Sequence, residues 1–435
     1  MKDETIALVP GSIVRIEAMR YRSLRYVSCG LRRFHVLVGP NASGKSTFLD
    51  VPTFLADFVR VGLAGAVEGD PKFSIPLRAS DAKQLVWMRE SHTFEMAVDV
   101  AISHDHQQRF KNGKINLCRY EIAVDVSGPL RVVAENLWLR PHKQFSQARQ
   151  LTLFPNPPDP PKSIVQARRR RPPAGWKKLI GRGDEPEKVT FWSETSGWNN
   201  PFRVPVDKAA LASLPEDDER FPVATWFRRV LAEGIQRLVL SSEAMRLPAP
   251  PSRARGYLPD GSNVPWAIHM LEKESPERLQ DWVAHLQEAL PDIEGIETRE
   301  REEDRHRYLV LNYKNGLTLP SWLVSDGTLR LLALTLLAYV PALTGIYLVE
   351  EPENGIHPRA VEAVYQSLSS VYGAQVLMAT HSPVILSLAK SSEILCFARD
   401  QQGATDIVSG DKHPKLEEWQ GALDLGTLFA SGLLG

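Results

Sequence analysis

Apolar and polar positions divide the chain into a few legible elements. Residues 12–19 set Ile13, Val14, Ile16 and Ala18 against Arg15 and Glu17, an alternation that predicts an edge-side strand. Residues 34–38 form an apolar, strand-like run. Residues 47–61 then carry Phe48, Leu49, Val51, Phe54, Leu55, Phe58 and Val59 at helical spacing, with Pro52 predicting a kink. Three β-branched, partly alternating segments follow at 93–102, 118–126 and 130–139, the first two joined by a polar stretch containing Asn112-Gly113. They predict an antiparallel subdomain beside a core that holds the first helix.

The pattern changes at Leu151. Between there and Gly183 stand seven prolines and the run Arg168, Arg169, Arg170, Arg171, followed by Trp176, Lys177, Lys178 and Arg182. This reads as an extended loop rather than a packed element. Beyond it, residues 224–240 and 276–290 are helix-like, the second with Leu279, Trp282, Val283, Leu286 and Leu290 on one stripe. These stripes are too short for a long coiled coil, and no internal repeat is present.

Periodicity returns strongly in the last third. Residues 329–340 are apolar nearly all round and predict a buried helix; residues 345–349 predict a strand that ends in Glu350-Glu351-Pro352-Glu353. After Pro358 an amphipathic helix presents Val361, Val364, Leu368, Val371 and Tyr372, and a strand at 375–380 delivers His381-Ser382-Pro383. Residues 331–349 lack a charge over a length that could span a bilayer. Pro341 and Gly345 split them, so a buried helix followed by a buried strand is the expectation. The division expected is a first part of an α/β core with the antiparallel subdomain (1–150), an inserted basic loop and helical subdomain (151–304), and the returning core (305–435).

Composition adds exclusions. The 435 residues are 43% hydrophobic, enough for a large core, and Lys+Arg and Asp+Glu both number 52. No overall field draws the chain to nucleic acid or membrane, so any basic site is local. The Arg168–171 region suits phosphates of DNA or RNA, or equally is a solvated basic loop. Cys29, Cys118 and Cys396 show no C-x-x-C pairing, which gives neither a disulfide framework nor a structural zinc site. Lys2, Asp3 and Glu4 stand where a secretion signal would be apolar, and the cytosol is the expected compartment.

The candidate chemistry begins with Gly39, Pro40, Asn41, Ala42, Ser43, Gly44, Lys45, Ser46 and Thr47, the pattern G-x-x-x-x-G-K-[ST] between strand and helix. Glycines at 39 and 44 let backbone N–H groups turn inward onto phosphate oxygens; Lys45 reaches the β/γ-phosphates and Ser46 offers a hydroxyl to Mg²⁺. Tyr21 and Tyr26 are candidates for stacking on a base, or simply pack. Ser325 and Gly327, opening the buried helix, suit an anionic oxygen; an ordinary Ser/Asp N-cap reads as well. Acids at the carboxyl end of a buried strand sit where an open α/β sheet binds its ligand: one can hold Mg²⁺ through water, the next can polarise attacking water. His381 reaches the same sheet edge and is assigned to the γ-phosphate.

In order, the P-loop, Ser-Asp-Gly, Glu-Glu-Pro-Glu-Asn-Gly-Ile-His-Pro and Ala-Thr-His-Ser-Pro resemble ABC-type ATPases of the RecF, SMC and OLD-like group. Within that group the chain looks like stand-alone bacterial ATPases of AAA type without a Toprim domain. The resemblance covers roughly residues 12–60 and 257–398 and implies a P-loop NTPase core. Residues 39–47 would then be Walker A, Glu350 and Glu351 the end of Walker B, residues 325–328 the signature loop and His381 the switch histidine. Glu351 would be the catalytic glutamate, with ATP and Mg²⁺ as cofactors. Glu350 stands where many relatives have aspartate, and Ser-Asp-Gly-Thr replaces Ser-Gly-Gly-Gln, which argues against a transporter subunit. No Q-loop glutamine is assigned. The resemblance further implies a homodimer in which the Ser325 loop of one protomer caps the nucleotide of the other, serving DNA repair or phage defence with a separate effector. The stretch after Pro383 is too short for a Toprim nuclease, so any nuclease is expected on another chain. An ATP-holding scaffold without turnover is the alternative that Glu351 and His381 disfavour.

Overall fold

The computed structural model describes residues 9–108, 115–142, 160–166, 172–183, 185–253 and 256–412. Asn112, Gly113 and the run Arg168, Arg169, Arg170, Arg171 lie outside the described residues. The described chain forms two compact units, one of residues up to Ile235 together with those from Ser391 onward, the other of Gln236–Lys390.

In the first unit an eight-stranded sheet has the order β2-β1-β4-β5-β6-β7-β8-β9. Its strands are β1 (Ile13–Tyr21), β2 (Leu24–Gly30), β4 (Thr93–Ala101), β5 (Ile115–Asp125), β6 (Arg131–Pro141), β7 (Lys177–Arg182), β8 (Lys188–Trp192) and β9 (Asn199–Arg203). All neighbouring pairs are antiparallel. The antiparallel expectation for 93–139 holds and extends further than the sequence suggested, since β7 lies inside the proline- and arginine-rich stretch. Arg182 at its end is fully buried, donating to the carbonyls of Pro186, Pro205 and Lys208. Those acceptors replace water around the guanidinium, so a cationic stretch can pack.

β1 is flanked on both sides, by β2 and β4, instead of facing solvent. Its polar positions are inside: Arg15 Nε donates to Asp99 at 2.7 Å, and Arg119, 2% exposed, donates to both Glu17 and Glu121. Burial alone would raise the Asp99 carboxyl, but Arg119, Arg15 and Arg140 outweigh it and hold its pKa below the ordinary value.

The same unit contains β3 (Phe34–Val38), parallel to β16 (Ile394–Arg399), which pairs antiparallel with β17 (Thr405–Ser409). Helix α1 (Lys45–Glu68) keeps helical dihedrals through Pro52; its break is at Gly62, φ 83°. One missing N–H at Pro52 costs a single ladder bond, whereas at Gly62 a loop intrudes and Leu63 N–H donates to the Asp207 carbonyl. A short α2 (His104–Gln107) follows β4, and α3 (Pro222–Gly234) packs on α1. The helix expected over 224–240 stops at Gly234 and gives way to β10 (Ile235–Leu238).

The second unit places β10 beside β14 (Ile346–Glu350), which runs parallel to β15 (Gln375–Ala379). A separate antiparallel sheet joins β11 (Ile293–Glu300), β12 (Arg307–Tyr313) and β13 (Thr318–Pro320). Its helices are α4 (Ser242–Arg246), α5 (Val264–Glu274), α6 (Pro276–Ala289), α7 (Asp326–Leu336), α8 (Pro358–Ser369) and α9 (Pro383–Leu388). As expected from its apolar circumference, α7 is buried from Leu331 to its end, with Trp282 of α6 donating to Thr335. On α8 the face Val361, Val364 and Leu368 is buried, but Tyr372, expected with them, follows the helix and is 76% exposed. Among the described residues no helix is long and apolar enough to cross a membrane.

Candidate active site

The phosphate-binding candidate lies wholly in the first unit. Fully buried β3 delivers the chain to Gly39 (φ 149°), and Gly44 (φ 106°) is the left-handed N-cap of α1. A Cβ at Gly39 would come within 2.2 Å of the Phe397 carbonyl oxygen; at Gly44 it would lie 2.1 Å from Thr405 Oγ1. Both glycines are therefore required by space as well as by dihedral. Between them Ser43 N–H donates to the Pro40 carbonyl and Ala42 takes φ 62°, winding the loop tightly. Lys45 is 7% exposed and its Nζ donates to the carbonyls of Gly39 (2.8 Å) and Pro40 (3.0 Å). The side chain thus arches back over the loop it follows.

Three features of this loop fit an anionic ligand. The α1 N-terminus has no side-chain cap and no acid in its first turn, leaving the positive end of the helix dipole uncompensated. Ser43 Oγ is buried without a hydrogen-bond partner. The cradle is one that any Cβ would fill. Phosphate oxygens supply the acceptors that these groups call for. Ser46, in the first turn, is exposed. Tyr21, by contrast, is fully buried and donates to Asp50 Oδ2, so the packing reading holds for it; burial and the Asp50 charge push its phenol well above the ordinary value.

The acidic candidates lie in the second unit. Glu350 ends β14, and its Oε1 is 2.8 Å from Nη2 of Arg237 on β10. Glu351 has φ 46°, an uncommon value for a residue with a side chain, and is held there by its N–H to the Ala379 carbonyl. Asn354 Nδ2 donates to Glu351 Oε2. Glu353 Oε1 accepts from Thr380 Oγ1 (2.6 Å) and from the His381 N–H (3.0 Å), tying the histidine's backbone to the loop after the two acids. The second oxygen, Glu353 Oε2, is buried and unsatisfied.

The loop opening α7 joins this cluster. Ser325 is its N-cap, Oγ accepting from Thr328 N–H at 3.2 Å and lying 2.8 Å from Thr328 Oγ1, as the capping alternative expected. A Cβ on Gly327 would be 2.4 Å from the Gly355 carbonyl oxygen, and Arg330 donates to the Asn354 carbonyl. Residues 351–356 therefore contact both the Ser325 helix start and the His381 turn. Glu353, Asn354 and Arg237 were not singled out from sequence. Glu353 had a signal, an acid in the same short motif, whereas Arg237 was hidden inside the segment read as helix.

Among the described residues no group of three or more His, Cys, Asp and Glu could hold a metal ion. The serine hydroxyl of Ser46 and the carboxylate of Glu350 are nevertheless hard oxygen donors of the kind Mg²⁺ takes alongside nucleotide phosphates. The three cysteines are free and buried, with burial pushing Cys29 and Cys396 up to about 12, which leaves them inert as thiols.

Residues 156–387 match the family model described as "AAA domain, putative AbiEii toxin, Type IV TA system". No curated protein matches the sequence. Among solved structures the chain is similar to an SMC head bound to the C-winged helix domain of ScpA, with TM-score 0.53 and 14% identity over 91% of this chain and 97% of that one. It is also similar to an SMC head domain with an extended coiled coil bound to the C-terminal domain of ScpA, derived from Pyrococcus furiosus. There the TM-score is 0.50 and the identity 13%, over 93% and 98% of the two chains. The fold is that of an SMC-head P-loop ATPase, mixed α/β with a large antiparallel sheet.

Proposed function

The chain belongs to the AAA-domain family described as "AAA domain, putative AbiEii toxin, Type IV TA system", and from that membership we propose that it is an ATP-binding, ATP-hydrolysing switch protein. The observation that carries this reading is the residue 39–47 cradle: two glycines with no room for a Cβ, an uncapped helix N-terminus, the arched Lys45 and the orphaned Ser43 hydroxyl. Lys45 exchanges its two loop carbonyls for β- and γ-phosphate oxygens, and the first N–H groups of α1 bind the same anion. Ser46 and Glu350 would hold Mg²⁺, which when bound neutralises developing phosphate charge. Glu351 polarises the attacking water as general base, and His381 donates to the γ-phosphate. Glu353 holds the His381 backbone for that role.

Two chains share the work in this reading. Ser325 and Gly327 of one protomer cap the nucleotide of its partner, and an isologous contact builds two such sites at once. Hydrolysis then times the dimer, in DNA repair or phage defence, beside a separate effector such as a nuclease. That an SMC head is solved in complex with a domain of ScpA is in keeping with a head that works through a partner chain.

A phosphate-release assay on the parent tests turnover. The shared site is tested by Ser325→Arg, which should bind ATP as monomer but fail to hydrolyse it, and by mixing that variant with Lys45→Ala. The mixture rebuilds one complete site from two inactive chains and recovers part of the activity. Full activity of Ser325→Arg alone, at a dilution where light scattering shows only monomer, would refute the shared site.

A further inference from the structure

We propose that Arg237 is a latch on Glu350 that competes with Mg²⁺ and so sets how much of the ion the protein needs. The inference rests on the assignment of Glu350 to the metal given above. Arg237 is the third residue of β10, at the edge beside β14, and Glu350 is the last residue of β14. On β10 the apolar Ile235 and Leu238 are buried while Arg237 is exposed, so the guanidinium has no packing role that would fix it elsewhere. It has reached the neighbouring strand's terminal carboxylate at 2.8 Å.

Unlike the buried ion pairs of the first unit, this pair can open. Arg119 and Glu17 are 2% and 9% exposed, and parting them would strand a charge in the interior. Arg237 and Glu350 are 43% and 24% exposed, so water can solvate either member when the other leaves. An arginine does not lose its proton, so near neutral pH the guanidinium remains a standing cationic competitor for the carboxylate. A divalent ion arriving at Glu350 must displace it. The guanidinium opposes it twice, by occupying Oε1 and by like-charge repulsion while it stays near.

The test titrates Mg²⁺ against the thermal stabilisation of the full chain by a fixed concentration of ATP, for the parent, Arg237→Gln and Arg237→Lys. Removing the charge should lower the Mg²⁺ concentration at half-effect about two- to fivefold, the size expected of a partly exposed ion pair. Lysine, which keeps the charge, should restore a value near the parent's. The melting temperature of Arg237→Gln without ligand should stay near the parent's, because the side chain is at the surface. An unchanged Mg²⁺ requirement in Arg237→Gln, or a higher one, would overturn the latch while leaving the nucleotide assignment standing. A parent whose stabilisation by ATP ignores Mg²⁺ would overturn the metal assignment and the latch together.

Discussion

In the phosphate loop the geometry is made by backbone: Gly39 and Gly44 lie where a methyl group would strike Phe397 O and Thr405 Oγ1, and Lys45 rests on two carbonyls. In the acidic cluster side chains add most of the contacts to a backbone bond from Glu351 N–H to the Ala379 carbonyl: Glu353 holds the Thr380 hydroxyl and the His381 N–H, Asn354 holds Glu351, and Arg237 holds Glu350. The difference separates what each half can tolerate. A cradle of positive-φ glycines fails with one added carbon, because the Phe397 carbonyl cannot give way and the Thr405 hydroxyl is itself held by the Ser43 carbonyl. A network of side chains loses one contact at a time and can be retuned, since each partner is a rotamer rather than a fold constraint.

The largest effect expected from this contrast is at Gly44. Gly44→Ala combines φ 106° with a Cβ 2.1 Å from Thr405 Oγ1 and should abolish ATP binding in isothermal titration. Gly128→Ala, where a Cβ meets nothing within 4 Å, is the matched control and should bind as the parent does. Equal affinity in both variants would erase the backbone half of the contrast. A smaller effect is expected at Glu353. Glu353→Ala should keep ATP affinity but slow turnover about tenfold, because a displaced His381 no longer meets the γ-phosphate correctly. It should also cost about 1–3 kcal/mol in denaturation, since the fully buried Thr380 hydroxyl loses its acceptor. Loss of affinity with turnover intact would show that the acidic half is no more adjustable than the loop.

The smallest effect is a pH dependence confined to the phosphate half. His35, on β3, is neutral in the fold: burial lowers its pKa from 6.5 to about 4, its Nε2 accepts from Arg32 N–H, and Nδ1 donates to the Glu393 carbonyl. The unfolded chain therefore binds the proton first, and stability falls as pH drops from 6.5 towards 4. Between pH 6.5 and pH 5.5 the loss should be about 1 kcal/mol. His35→Gln should flatten that part of the profile in urea denaturation, and an unaltered slope would remove His35 from the explanation.

Much of the geometry of the residue 39–47 loop was legible because its residue types are dictated by backbone. Only glycine fits φ 106° against Thr405, so the requirement shows in the letters. Three of the parallel strands were legible too, as mostly apolar runs at β3, β14 and β15. What was hidden has one physical cause, polar residues whose partners are distant in sequence. Arg15 and Glu17 looked like a solvent face, yet their partners Asp99 and Arg119 arrive from two other strands. Arg182 looked like part of a basic loop until carbonyls from residues 186–208 surrounded it. Pro52 promised a kink that its helix absorbed, while Gly62 breaks the helix because Asp207 supplies a competing carbonyl. Arg237 was lost in the same way, its role defined by a strand end more than a hundred residues on.

The lifetime of bound ATP in Glu351→Gln, measured beside the parent in single turnover, tests the central proposal most directly. Glu351 sits at φ 46° at the carboxyl end of β14, and as general base its loss should slow hydrolysis by about a hundredfold or more while ATP still binds. Turnover near the parental rate in a variant that binds ATP normally would contradict the assignment of Glu351 and, with it, the proposed switch.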